Sequence, residues 1–337
     1  MRRSKRDKKT THKRPLTGRV ALVAGATRGA GRGIARALGE AGATVYCTGR
    51  SMRGKPSAYK RPETIEETAE LVDAAGGTGI ALRVDHTVEA EVRRLFKRID
   101  RKHRRLDVVV NCIAGEDPLM GQWASFWEVD ARNADAILRQ AFTSHVITAK
   151  HAAQRMIAAK RGLIVEVTES DTLGAGGNPF SQLVKIGCKT FALNMATELK
   201  QHGVAALAIT PGFLRSESML ERFGVTEENW RDGGKRDSNF LVSESPLYVG
   251  RAVAALAADP KVMARTGRLW SSWELSRHYK FKDADGLRPD WGRHDIDFGD
   301  HPGWLLEYIR TGCELQRDWL ANVSRHTRTL LKQLPAT

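Results

Sequence analysis

The sequence predicts an α/β fold, a doubly wound parallel sheet with helices on both faces and a C-terminal helical extension. Two observations carry this. Short apolar runs alternate with longer amphipathic ones from Arg19 onward, and the apolar runs are continuous Val, Leu and Ala rather than alternating with polar residues. Continuous runs suit strands buried on both faces, as in a parallel sheet. In order, RVALVAG is a strand, and Gly31 to Glu40 is a helix with Ile34, Ala35 and Leu38 inward. ATVYCTG is a second strand and Glu63 to Ala75 a second helix; Ile80 to Val84 is a third strand. A basic helix begins near Val88, with Val92, Leu95, Phe96 and Ile99 on one stripe, and RLDVVVNC is a fourth strand. Residues 131 to 160 read as largely helical and GLIVEVT as a strand. Gln182 to Gln201 reads as a helix with Leu183, Ile186, Thr190 and Met195 inward. GVAALAITPG is a strand stopped by Pro211 and Gly212; helical YVGRAVAALAAD and strand-like TGRLWSS close the sheet. Residues 16–275 are therefore read as one doubly wound domain.

The flanks differ. Residues 1–15 form a basic tail without periodicity, expected to be disordered; residues 1–14 hold eight Lys or Arg against one Asp. Residues 276–337 begin rich in Asp, Gly and Pro. They end in a predicted amphipathic helix from about Pro302, marked by Trp304, Leu305, Tyr308, Ile309, Leu315, Trp319 and Leu320. The formal charge of +15 raises nucleic acid as a partner, but the tail accounts for much of it. The cluster from Arg93 to Arg105 reads as the solvated face of a helix, the alternative being a polyanion-binding patch, and no aromatic residues interleave with either cluster as a single-strand platform requires. Nucleic acid is accordingly disfavoured. No apolar stretch reaches the roughly 18 to 20 residues of a membrane span and no secretory core follows the basic start, so a cytoplasmic protein without a membrane partner is expected. Cys47, Cys112, Cys188 and Cys313 are scattered without disulfide or zinc spacing, and no metal is expected.

The informative stretch is VALVAGATRGAGRGIARALGEAGATVYCTGR. Gly25, Gly29 and Gly31 permit a tight strand-to-helix turn enclosing Thr27 and Arg28, and the helix that follows aims free N–H groups at a pyrophosphate. With a buried strand before it and another after, this is a Rossmann-type dinucleotide site. The second strand ends CTGRS instead of in an acidic residue. Arg28 and Arg50 at that corner favour the additional phosphate of NADP, the alternative being two merely exposed arginines. Asp85 is a candidate adenine contact, and Asn111 a residue shaping the floor of the cofactor cleft.

At this point the sequence resembles the short-chain dehydrogenase/reductase (SDR) family. The family's T-G-x-x-x-G-x-G turn is similar to Ala24, Gly25, Gly29 and Gly31; its Asn-Asn-Ala-Gly strand end to Asn111 through Gly115; its Pro-Gly motif to Pro211 and Gly212. The resemblance implies an NAD(P)-dependent oxidoreductase acting on an alcohol or carbonyl, often dimeric or tetrameric. It also implies a catalytic Tyr and Lys four residues apart, a Ser at the preceding strand end and an Asn in the long helix. Lys185 fills the Lys position, but Ser181 stands where the Tyr belongs; the Ser position falls at Glu169, beside Thr168 and Ser170, and the Asn position at Arg139. A serine alcohol is far less acidic than a phenol (pKa about 10) and too short to replace it. Lys185 can still hold the nicotinamide ribose. Glu169 is a substitute general acid or base if buried, otherwise an ion-pair partner of Lys185 or Arg139, or a surface residue. Three readings therefore stay open: an NADP(H)-dependent oxidoreductase with a nonstandard proton donor and an unidentified small-molecule substrate, a regulatory NADP(H) binder, and a non-redox lyase or isomerase using Glu169.

Overall fold

The computed structural model describes residues 14–56, 60–114, 119, 127–169 and 179–294. Seven parallel strands form one sheet: β1 (Val20–Ala24), β2 (Thr44–Gly49), β3 (Thr78–Arg83), β4 (Val108–Asn111), β5 (Gly162–Val167), β6 (Val204–Thr210) and β7 (Leu269–Ser271). They run in the order β3-β2-β1-β4-β5-β6-β7. The direction of winding reverses between β1 and β4, where Ala24 is flanked by Thr48 and Asn111. A parallel sheet opens its ligand crevice at this reversal, beyond the carboxyl ends of the strands. Every residue of β1, β4 and β6 is buried, as continuous apolar runs require.

One face of the sheet carries α1 (Gly29–Glu40), α2 (Ile65–Ala74) and α8 (Pro246–Ala258); the other carries α3 (Glu89–His103), α5 (Ser144–Ala159) and α6 (Pro179–Leu199). The stripes read from sequence in α1 and α3 are the buried ones: Ile34, Ala35 and Leu38, and Val92, Leu95, Phe96 and Ile99. Helix α6 departs from its expected stripe. Val184, Cys188, Ala192 and Met195 face inward, whereas Leu183 and Thr190 are exposed. Apolar residues lie around much of α6, so hydrophobicity alone leaves its rotation about its axis undetermined. Helices α4 (Ala131–Leu138), α7 (Glu217–Phe223) and α9 (Ser272–Tyr279) complete the set.

Arg14, within the stretch read as tail, donates to the Gly76 carbonyl, and Leu16 is buried in the core. At the other end α9 crosses the expected boundary at residue 275 and gives the C-terminal extension its first helix. The amphipathic helix expected from Pro302 lies outside the described residues, as do residues 1–13 and Gly115. No helix among the described residues is long and apolar enough to cross a membrane.

Candidate active site

A cavity of about 910 Å³ opens at the β1/β4 reversal, within the range of small-molecule and cofactor sites. Its phosphate end is built by the β1–α1 turn. Gly25 holds φ +86° and an added Cβ would overlap the Cys112 carbonyl, so no other residue fits there. The chain then enters α1 with free N–H groups toward the cavity. One already holds an anionic group: Gly29 N–H donates to Glu217 Oε2 at 2.7 Å. A carboxylate in that position shows that the turn accepts negative charge, which is what a pyrophosphate would bring.

Arg28 and Arg50 both line the cavity, with Ser51 and Arg61 between them. Arg50 donates to Gln140 Oε1 at 2.8 Å. Arg28 lies 3.3 Å from the buried carboxylate of Glu63, which also takes Arg61 through paired hydrogen bonds. Burial pushes the Glu63 carboxyl up, but these bonds and the Arg28 charge hold it below its ordinary value. Asp85 lines the same wall and accepts from the Thr87 N–H and hydroxyl at 2.9 and 2.7 Å. Burial opposes its ionisation, and the Thr87 donors and Arg50 outweigh it. Beside it His86 is wedged between the hydroxyls of Thr48 and Thr148; burial first, then the nearby His145, push its pKa down to about 3, so it is neutral.

Thr27, Gly25, Gly29, Pro211 and Gly212 also line the cavity. Two of the other expected residues sit elsewhere. Asn111 is fully buried behind the floor, which Cys112, Ile113 and Ala114 form instead. Gly31 packs the first turn of α1 against the Gly25 carbonyl and shapes the site from beneath.

At the reaction end Lys185 and Glu169 line the cavity with their charged atoms 3.9 Å apart. Among the described residues no closed cleft surrounds Glu169, whose side chain is 74% exposed. Thr168, buried and on the wall, donates to the Lys185 carbonyl at 2.9 Å and fixes α6 against the end of β5. Ser181 lies one turn before Lys185, half-buried and off the cavity wall. None of Tyr46, Tyr248 and Tyr279 lines the cavity either. Arg139 does not reach the site: it is exposed and directs its guanidinium to the Thr87 carbonyl, 3.4 Å away. A π-helical turn at Arg139–Thr143 explains the miss, because its extra residue shifts the register of a count made at α-helical spacing, and Gln140 faces the cavity instead.

Beyond the Pro-Gly turn the wall is largely apolar and aromatic, with Phe213, Leu214, Met219, Trp273 and Trp291 beside the hydroxyl-bearing Ser216 and Ser218. The turn rests on Glu244, which accepts from Gly212 N–H at 2.9 Å and from the Ser272 hydroxyl at 2.5 Å. Glu244 is buried; that burial, reinforced by Asp283 and opposed by these two hydrogen bonds, pushes its carboxyl up to about 8. Sequence reasoning missed Glu244, Glu63, Gln140, His86 and the two tryptophans, which share no motif and meet only through the fold.

A parallel sheet in this order, a glycine-rich turn at its reversal and a lysine on the helix after β5 define a dinucleotide-dependent dehydrogenase. Residues 19–224 match the model of the short chain dehydrogenase family, and the chain belongs to that family. Its general activity is nucleotide-dependent oxidoreduction. The chain is 36% identical over 304 residues to dehydrogenase/reductase SDR family member 1 of Mus musculus, covering 88% of this chain and 93% of the relative. The Homo sapiens protein of the same name is 34% identical, with 81% and 85% covered. Among solved structures, a short chain dehydrogenase of Mycobacterium thermoresistibile superposes with a TM-score of 0.68 at 19% identity, covering 86% of this chain and 99% of its own. The family match ends at Gly224, so Glu244, Trp273 and Trp291 lie beyond it.

Proposed function

We propose that this protein is an NADP(H)-dependent oxidoreductase that interconverts an alcohol and a carbonyl on an apolar small molecule, without a tyrosine proton donor at the position before Lys185. The observation that carries the cofactor choice is that Arg28, in the β1–α1 turn, and Arg50, just past the tip of β2, both line the cavity. Guanidinium groups recognise a phosphate in charge-assisted, bidentate geometry. When bound, the cofactor supplies or accepts the hydride. The chain's own residues do the rest: the β1–α1 turn holds the pyrophosphate, Arg28 and Arg50 the ribose phosphate, and Lys185 the nicotinamide ribose. The wall of Phe213, Leu214, Met219, Trp273 and Trp291 excludes water from the substrate and favours an apolar one.

Ser181, off the wall and bearing an unactivated alcohol, is not the proton carrier in this reading. Among the described residues, Lys185 and Glu169 are the charged groups on the wall at the reaction end, with Glu169 open to water, and in this reading protons exchange between the substrate oxygen and solvent through this pair. The exposure of Glu169 also favours a second reading, an NADP(H) binder that carries out no hydride transfer, and argues against a lyase or isomerase that needs a buried carboxylate. Titration calorimetry with NADPH and NADH, followed by single-turnover oxidation of NADPH with a panel of apolar aldehydes and ketones, separates the readings. Preferential NADPH binding with turnover supports the oxidoreductase; binding without turnover at high enzyme concentration supports the binder; preference for NADH overturns both.

A further inference from the structure

Behind the floor of the cavity, three side chains from three elements converge: His145 on α5, Glu166 on β5 and Cys188 on α6. They are more than twenty residues apart in sequence and 1%, 0% and 1% exposed. His145 Nδ1 is 2.6 Å from Glu166 Oε2 and 3.7 Å from Cys188 Sγ, and all three donor atoms lie within 4.8 Å of one another. The atoms behind them are also ordered. His145 Nε2 donates to the Ile113 carbonyl at 2.9 Å, and Glu166 Oε1 accepts from Asn111 Nδ2 at 2.7 Å. The Asn111 Oδ1 atom beside them is buried and has no hydrogen-bond partner.

We propose that His145 Nδ1, Glu166 Oε2 and Cys188 Sγ form a structural site for a soft divalent cation of the zinc class. Thiolate, imidazole and carboxylate together select such an ion over magnesium or calcium. Bond lengths of about 2.3 Å to sulfur and 2.1 Å to nitrogen at a tetrahedral ion place those ligands about 3.6 Å apart. The observed 3.7 Å separation of Sγ and Nδ1 matches. Glu166 Oε2 must draw back by roughly 0.8 Å to reach its own tetrahedral spacing from Nδ1, about 3.4 Å. A histidine whose second N–H is fixed by a backbone carbonyl, and a carboxylate whose second oxygen is fixed by an amide, are the usual outer contacts of metal ligands.

In the loaded site a thiolate and a carboxylate supply the two negative charges that balance a doubly charged ion in the core. A nucleophilic triad is not built here. The same nitrogen faces both Glu166 and Cys188, and the sulfur is closed to substrate.

The test uses the full chain, dialysed against chelator and titrated with Co²⁺. A stoichiometric thiolate-to-cobalt absorption in the near ultraviolet is expected, abolished by competing Zn²⁺. Zn²⁺ should raise the melting temperature. C188A, or C188S should the alanine variant not fold, should lose the absorption and the melting shift together. The proposal is overturned by a chain that binds no Co²⁺ and whose melting temperature Zn²⁺ leaves unchanged. It is equally overturned by an absorption that survives in the Cys188 variant, which would place the ion elsewhere.

Discussion

The Glu217 carboxylate of α7 accepts the Gly29 N–H at 2.7 Å, and its other oxygen lies 3.6 Å from Arg32. A dinucleotide entering the β1–α1 turn competes with this carboxylate for the same positive end of α1. A charge at a helix terminus is worth about 0.3–1 kcal/mol, so E217Q should tighten NADPH binding by about two- to fivefold. The gain should shrink as salt is added. Calorimetric titration of both proteins at two ionic strengths checks this, and unchanged or weaker binding by E217Q would show that Glu217 helps to hold the cofactor.

Arg50 should discriminate between cofactors. Loss of a charge-assisted bond, worth about 1.5–3 kcal/mol, predicts that R50A weakens NADPH by roughly ten- to a hundredfold while leaving NADH within about twofold. Equal losses for both cofactors would assign Arg50 to the fold, through Gln140, and not to the phosphate.

Ser181 and Lys185 should separate cleanly. S181A is expected to change any turnover by less than about twofold, since an unactivated alcohol off the cavity wall moves no proton. K185A should weaken cofactor binding by about tenfold or more. E169Q, at an exposed carboxylate, should have a small effect, mainly on the pH profile. Steady-state kinetics paired with cofactor titration distinguishes lost binding from lost chemistry, and a several-hundredfold fall for S181A with cofactor affinity intact would make the serine a participant.

Glu244 should make stability depend on pH. Its folded pKa, about 8, stands above the ordinary 4.5, so between those values the native state holds a proton that the unfolded chain releases. Its contribution is complete below pH 4.5 and is lost as pH rises through 8. The melting temperature should therefore fall across that window, and E244Q should flatten the slope. A wild-type slope unchanged in E244Q would assign the dependence to other groups.

Removing residues 1–13 should leave the NADPH dissociation constant unchanged, because the stretch has no apolar periodicity and the first strand starts at Val20. Calorimetry on the shortened chain decides it.

Periodicity made the sheet and the α1 and α3 faces legible, since continuous apolar runs and a clean 3.6-residue stripe each admit one burial pattern. It failed for α6, where Leu183 and Leu193 are exposed and Val184 and Cys188 buried. The phosphate end was readable because Gly25, Gly29 and Arg28 are close in sequence and tied to a turn. The supports were not. Gln140 and Trp291 on the cavity wall, Glu63 behind Arg28 and Glu244 behind Gly212 come from distant segments, and only the fold brings them together. Arg139 shows the limit of counting, as one additional residue in a helical turn moved the site to its neighbour.

Asp283 accepts from the Ser245 N–H and hydroxyl and faces the buried Arg215 guanidinium, which stacks 3.9 Å over Trp230. Trp291 then packs against Phe213. These late residues have a consequence for the order of synthesis. The nucleotide half of the cleft, from Gly25 through Pro211, emerges from the ribosome well before Asp283 and Trp291, so the nascent chain can acquire cofactor while its substrate wall does not yet exist. Arg215 stays without its Asp283 counter-charge during that interval. A chain ending at β7 would keep Glu227, 3.0 Å from the Arg215 guanidinium, but would lack Asp283 beside it and Trp291 against Phe213, so the late segment completes both the charge balance and the aromatic wall.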